Sequence, residues 1–449
     1  MDSFNENPTE QPMQHPTGCL NRYSKTIKAI IIGALILLLM IPLVMIENLI
    51  SERGRTQEEA IDEVSEKWSL AQTVTGPYLY FLYREPKAGK EQNAELKDVV
   101  LFPDELLING KLNTEILKRG IYEVNVYQSE LIIKGSFSTE ELIKNRIDVN
   151  QLQWDETAIC LNLTDMRGIS EQISITLGDS IYVFESGMDN RGIGNTGVHV
   201  IADLSVLKEN KKLPYEINIK LKGSQSINFI PLGKTTHVDL KANWNTPSFT
   251  GNYLPNNRNI TENDFSAQWQ VLNLNRNYSQ VILEGNSSTI QDIANSSFGV
   301  TFKIPVEQYQ QSMRSAKYAI LIILLTFAVI FFTEIMNKTR IHALQYLLVG
   351  LALCLFYSLL LSFSEHTGFN PAYLLSSALT IILVGSYMYG ITKKKKPALI
   401  MSGLLSILYL YIFILIQLET FALLAGSLGL FIILATVMYF SKKIDWFTE

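Results

Sequence analysis

The last third of the chain carries five hydrophobic spans, roughly 316–333, 343–363, 371–391, 397–416 and 420–440, joined by short loops. Each is long enough to cross about 30 Å of hydrocarbon as a helix. Lysine and arginine obey one rule across the loops. Lys338 and Arg340 fall between the first pair of spans, Lys393 to Lys396 between the third and fourth, and Lys442 and Lys443 follow the last. The alternate loops, Ser364 to Asn370 and Gln417 to Thr420, hold neither residue. Positive loops mark the cytoplasmic side, so the pattern predicts an integral membrane protein with its C-terminus inside.

A sixth span, Ala29 to Ile46, follows Arg22, Lys25 and Lys28, which assigns the N-terminus to the cytoplasm as well. Nothing near Pro42 to Asn48 offers the small residues of a cleavage site, and the expectation is an uncleaved anchor. Spans one and two then face opposite ways, and the chain between them must be exported. The layout expected is a disordered cytoplasmic tail over 1–24, a transmembrane helix over 25–46, a β-rich extracytoplasmic domain over 47–315, a five-helix bundle over 316–441 and a cytoplasmic tail over 442–449. Arg314 and Lys317 sit on the side that the charge rule keeps free, beside a large translocated domain where the rule loses force.

The hydrophobic fraction of 47% averages an apolar bundle and a polar exported part. A formal charge of −5 over 449 residues gives no global field that argues for nucleic acid. The three cysteines are scattered, Cys19 in the tail, Cys160 alone in the exported part and Cys354 within a span, so no disulfide is expected to brace the exported domain. Gly18-Cys19 lacks the apolar stretch that a lipoprotein signal requires.

Thr56-Gln57-Glu58-Glu59 forms a capping-box pattern, and Ala60, Ile61, Val64 and Trp68 follow at helical spacing, which predicts an amphipathic helix over about 57–68. From Tyr122 onward the period changes to two, in Tyr122 to Tyr127, Leu131 to Phe137, Ile181 to Phe184, Val198 to Leu204, Tyr215 to Leu221, His237 to Leu240, Phe265 to Leu274 and Phe298 to Val306. Breakers such as Asp189-Asn190-Arg191-Gly192, Pro231-Leu232-Gly233 and Pro255-Asn256-Asn257 separate them. The fold class expected is therefore a membrane protein of α+β type, with six transmembrane helices and a mostly antiparallel β domain inserted between helices 1 and 2.

Nucleophile-elbow, zinc-protease and phosphate-loop motifs are absent, and no cysteines stand at metal spacing, so catalytic, cofactor and metal sites are all expected to be none. His199 and His237 read as structural histidines on strands, and Arg191-Gly-Ile-Gly194 as a turn. The candidate functional residues lie at span ends: Glu334, His342 and Gln345 at the inner ends of spans two and three, and Glu365, His366, Gln417 and Glu419 at outer ends. Ionisable groups at bilayer depth usually mark function, whereas at an interface capping and anchoring explain them as well. In the last span, Ala422 with Gly426 and Ala425 with Gly429 form small-xxx-small pairs that allow close helix approach.

Several stretches carry a resemblance. Arg340-Ile-His-Ala-Leu-Gln-Tyr-Leu-Leu-Val-Gly-Leu-Ala-Leu353, Leu361-Ser-Phe-Ser-Glu-His366, Gly76-Pro-Tyr-Leu79, Arg119-Gly-Ile-Tyr-Glu-Val124, Phe229-Ile-Pro-Leu-Gly233, Pro247-Ser-Phe-Thr-Gly251, Leu274-Asn-Arg276 and Gly426-Ser-Leu-Gly-Leu430 resemble the CreD family of bacterial inner-membrane proteins. The resemblance covers nearly everything beyond the N-terminal tail. It implies a role in envelope integrity and colicin tolerance under a two-component stress response, and it brings no catalytic residue to carry over. The expectation is a non-enzymatic protein of the bacterial inner membrane whose periplasmic domain contacts wall, lipid or protein partners, with a small transporter or lipid-handling permease as the alternative.

Overall fold

A computed structural model of the chain describes residues 24–85, 95–188, 192–209, 212–284, 287–302, 308–337, 340–418 and 421–442. The tail with Cys19, the breaker Asp189-Asn190-Arg191, Lys338, Glu419 and the C-terminal residues from Lys443 lie outside the described residues. The chain divides into two compact units. One is helical, Met1–Arg55 with Val306–Glu449, and the other is built on sheets, Thr56–Pro305.

The first apolar run and the amphipathic segment after it form a single helix, α1 (Ser24–Trp68), with Pro42 inside it. Thr56 does not open a helix. Its turn already has carbonyls one turn upstream to accept the amide protons that a capping box would otherwise satisfy.

In the sheet unit the strands run, in chain order, β1 (Gln72–Glu85), β2 (Glu95–Leu101), β3 (Glu105–Arg119), β4 (Tyr122–Phe137), β5 (Thr157–Leu163) and β6 (Ser174–Leu177). Then come β7 (Ser180–Val183), β8 (Glu185–Ser186), β9 (Gly197–Ala202), β10 (Leu213–Ser224), β11 (Ser226–Phe229) and β12 (Thr235–Ala242). The last are β13 (Pro247–Gly251), β14 (Asn257–Ile260), β15 (Phe265–Leu272), β16 (Val281–Leu283) and β17 (Phe298–Phe302). They form two sheets, one in the order β13-β17-β11-β1-β5-β9-β8 with β2 also paired to β1 and β16 paired to β2, the other in the order β14-β15-β12-β3-β4-β10-β6-β7. Pairing is antiparallel except between β1 and β11 and between β3 and β12. One contiguous apolar cluster draws on both sheets, including Phe81, Ile159 and Phe298 from the first and Leu106, Ile133 and Trp269 from the second. The result is a sandwich with a shared core.

The alternating segments emerge as strands, and Tyr122 to Tyr127 and Leu131 to Phe137 merge into the single strand β4. Period-two reading misses β1 and β5. Every residue of β5 is buried, and β1 is buried along nearly its whole length. A strand covered on both faces has no polar face to alternate with.

The helical unit continues with α4 (Gln308–Lys317), α5 (Ala319–Asn337), α6 (Ala343–Thr367), α7 (Phe369–Thr392), α8 (Lys395–Gln417) and α9 (Ala422–Ser441), while two short helices, α2 (Glu140–Lys144) and α3 (Ser287–Asn295), belong to the sheet unit. Helices α1, α6, α7 and α8 are each long and apolar enough to cross a membrane, and α4 with α5 makes a fifth candidate, bent by 40°. In α9 the apolar stretch Leu424–Thr436 is shorter. The fold is thus mixed α+β, with a large sheet unit and four to five apolar helices long enough to span.

Helix α6 packs on α7, α7 on α8, and α5 on both α6 and α8. Leu39 of α1 is buried against Gly350 of α6, where any Cβ would collide with its side chain and approach Phe327 of α5. Small residues admit this approach where dispersion is the main attraction between helices. Of the small pairs read from sequence, Ala425 and Gly429 meet α8: the Tyr411 hydroxyl donates to the Ala425 carbonyl at 2.7 Å and lies where a Cβ at Gly429 would fall.

Candidate functional site

The candidate residues at the membrane spans resolve into two clusters at opposite ends of α6. In the first, Lys28 of α1 forms an ion pair with Glu334 near the end of α5. Its ammonium also donates to the Ile341 carbonyl at 2.8 Å and lies 5.8 Å from the ring centre of Tyr346. Tyr346, fully buried at the start of α6, donates its hydroxyl to the second carboxylate oxygen of Glu334 at 3.1 Å. Three helices therefore converge on one carboxylate. His342 and Gln345 serve the helix start instead. His342 Nδ1 accepts from the Leu344 amide at 3.3 Å and the Gln345 side chain accepts from the His342 amide at 3.0 Å, a capping box that opens α6.

In the second cluster Glu365 accepts from the Tyr309 hydroxyl of α4 at 3.2 Å and lies 3.8 Å from Arg53 of α1. His366, the next residue, is exposed and makes no hydrogen bond or ion pair with another described residue. Adjacent positions on a helix diverge by about 100°, so the two side chains do not share a face. Gln417 is joined to Asn370 by a 2.8 Å bond that ties α8 to α7. Along α6, Tyr346 and Glu365 are separated by about 29 Å at the helical rise, close to the hydrocarbon thickness of a bilayer. Both clusters thus sit where interfaces would fall, and both tie α1 to its neighbours. Sequence reading took Lys28 only as a topology signal; its spacing to Glu334 is invisible without the packing.

The sheet unit carries a groove of about 950 Å³ across the solvent face of the second sheet. Register builds it. Ser266, Lys241, Lys111, Glu130 and Lys220 stand abreast on β15, β12, β3, β4 and β10. Two residues along, Asn113, Gln128 and Lys222 form a parallel row. Lys220 pairs with Glu171 at 2.8 Å, and Lys222 lies over the Trp68 ring at 4.9 Å. Lys111 and Lys241 are direct neighbours with no ion pair to another described residue. Like charges abreast oppose sheet stability. The groove was missed in the sequence because its residues are the ordinary polar halves of separate alternating segments.

Elsewhere in this unit polar groups serve the framework. Asp165 accepts from the amides of Leu70 and Arg167 at 2.9 and 3.0 Å and from the Arg167 guanidinium at 2.9 Å, while Arg167 also reaches the Glu66 carbonyl near the end of α1. Burial alone would push the Asp165 carboxyl up, but these donors outweigh it and hold it below the ordinary carboxylate value. Arg276 stacks on Tyr278 at 4.4 Å and donates to the Leu232 carbonyl at 3.0 Å, and burial pushes its guanidinium down from its usual value. His199 is buried and its Nδ1 bonds the Gly187 carbonyl at 2.7 Å, a structural role. Gly192, at φ +93°, closes over the Tyr78 ring, which fits the turn read there. No group of three metal-ligating side chains occurs among the described residues.

Comparison with known proteins places these features in one lineage. A family model described as inner membrane protein CreD matches residues 24–447. The inner membrane protein CreD of Escherichia coli strain K12 is 31% identical over 418 residues, 92% of this chain and 91% of that protein. Both matches run through the apolar helices and the inserted sheet unit alike, and the chain belongs to the CreD family of inner membrane proteins.

Proposed function

We propose that the protein is a non-enzymatic guardian of the bacterial cell envelope, spanning the inner membrane six times with both termini cytoplasmic and its sheet unit in the periplasm. The observation that carries this reading is the 950 Å³ groove, where Lys111 and Lys241 stand abreast without an ion pair to another described residue and four lysines face Glu130, Glu171 and Asp264. A scaffold that holds such a row at fixed strand spacing suits an acidic wall, lipid or protein partner. Through that contact it supports tolerance to envelope stress and colicins.

The deciding experiment replaces Lys111 and Lys241 together by Gln and measures tolerance in cells whose protein level and topology are unchanged. Reduced tolerance, with loss of a partner cross-linked to the wild-type groove, is the expected result. Full tolerance would sink the groove as the working surface. Topology is tested separately by labelling introduced cysteines, which should react from outside near Asn113 and Gly368 but not near Lys394.

A second reading, a small permease, draws on one feature of the helical unit. The hydroxyls of Tyr357 and Ser376, on α6 and α7, are buried without a hydrogen-bond partner among the described residues, and Tyr409 of α8 is buried as well. Buried hydroxyls facing a bundle interior suit a polar solute path. Replacing Tyr357 and Tyr409 by Phe should leave stress tolerance intact under the first reading and abolish it under the second.

A further inference from the structure

The amphipathic helix α4 has two faces with different partners. Tyr309, Ser312, Ser315 and Ala316 are buried, whereas Gln310, Met313, Arg314 and Lys317 recur at three- and four-residue spacing along the other side. That second side, together with Tyr309 and one turn of α1, Ile50, Ser51 and Gly54, lines an open pocket of about 330 Å³. Ile50 is buried, and a Cβ at Gly54 would meet nothing within 4 Å, so the glycine leaves open space rather than filling a contact.

Charge in the pocket is one-sided. Glu365 is already taken by Tyr309 and Arg53. Arg314 and Lys317 are exposed, and neither forms an ion pair with another described residue. Both also stand on the side that the positive-inside pattern leaves free of cations, so topology gives no reason for them. Tyr309, in the first turn of the same helix, bonds Glu365, about 29 Å along α6 from Tyr346, so α4 begins where lipid headgroups would lie. A helix bent by 40° from its following span, with Tyr309 and the small residues Ser312, Ser315 and Ala316 buried on one side and cations on the other, can present those cations at an interface.

We propose that this pocket binds the phosphodiester headgroup of an anionic membrane phospholipid, with Arg314 and Lys317 holding the phosphate and Met313 meeting the start of the acyl chains. The proposal rests on the membrane-spanning reading of the helical unit. A guanidinium gives two parallel donors to phosphate oxygens and a lysine adds a point charge. The bound lipid would seat α4 against α1 at the bilayer surface.

The test uses the full-length protein purified in detergent, with phosphatidylglycerol as probe and native mass spectrometry counting bound lipid. Arg314→Gln with Lys317→Gln should weaken retention of the tightest lipid about thirtyfold, and phosphatidylcholine should bind far more weakly than phosphatidylglycerol. Gly54→Leu, which fills the pocket without changing charge, should also displace the lipid. Lys394→Gln, at the opposite end of the bundle, should change nothing. In the wild-type protein, photoreactive phosphatidylglycerol should label peptides around Ile50–Gly54 and Gln310–Lys317. Unchanged lipid retention in the double variant, or labelling spread evenly over α6 to α9, would overturn the proposal. Displacement of the lipid by equimolar inorganic phosphate would overturn it too, because the site would then be one for the free ion. Carbonate extraction of membranes checks the underlying reading by itself: release of the wild-type protein would sink the membrane assignment, whereas retention alongside unchanged lipid counts would sink only the lipid site.

Discussion

The two units solve opposite solvent problems with the same residue types. In the sheet unit large apolar side chains turn inward, so that Trp269, Phe81 and Phe298 are buried, while Leu274 is among the apolar residues left at the surface. In the helical unit Ile382, Leu399 and Ile407 are each about two-thirds or more exposed, on helices that keep Tyr357, Ser376 and Tyr409 inside. An apolar exterior of this extent would drive association in water and is expected against hydrocarbon. Exposure of a leucine therefore means something different in each half, and side-chain polarity alone does not tell inside from outside without knowing the solvent.

Substitutions can break that contrast directly. The largest effect should come from Trp269→Ala, which removes a core ring packed against Phe249 and Phe298 and costs the sheet unit about 4 kcal/mol by pulse proteolysis of the full-length protein. Next, Ile382→Lys, midway along α7, should cost about 3 kcal/mol in membrane insertion. Leu274→Lys, at 87% exposure in the sheet unit, should stay within about 0.5 kcal/mol. Equal tolerance of both lysines would refute the division into lipid-facing and water-facing halves.

Asp165→Asn should destabilise the sheet unit by about 2 kcal/mol, since charge-assisted hydrogen bonds to a buried carboxylate are weakened. With its folded pKa held below the unfolded value of about 3.9, Asp165 contributes stability that is present above about pH 4 and is lost as pH falls through the folded value. The variant should lose that acid-dependent portion, and an unaltered acid unfolding curve would assign it to other carboxylates. A smaller effect than at Asp165 is expected at the Lys28 and Glu334 pair, partly exposed on both sides, where a double-mutant cycle with Met and Gln should give a coupling of about 1 kcal/mol. A coupling near zero would make the pair incidental to bundle packing.

Much of the architecture was legible because hydrophobic length and charge alternation are local quantities. The spans at 343–363, 371–391 and 397–416 read as helices and are helices α6, α7 and α8, and β4, β10 and β15 followed from period-two alternation. His342 and Gln345 lie three residues apart in sequence, and their pairing in a capping box is likewise a local event. The join of the anchor with the amphipathic helix into α1 was not legible, because Thr56 to Glu59 offers a start signal that is used only when no upstream turn exists. Strands β1 and β5 were hidden by double burial.

Sequence by itself determined the membrane character, the position of the inserted sheet-forming segment and the family, since each depends on composition within a window or on residues in order. Only the tertiary structure decided which carboxylate meets which cation, that Glu365 turns to Tyr309 and Arg53 rather than to His366, and that Lys111, Lys241 and Lys220 stand in one row. Those contacts join residues tens to hundreds of positions apart. Strand register and helix rotation bring them together, and both are fixed by packing of the whole core rather than by any local preference.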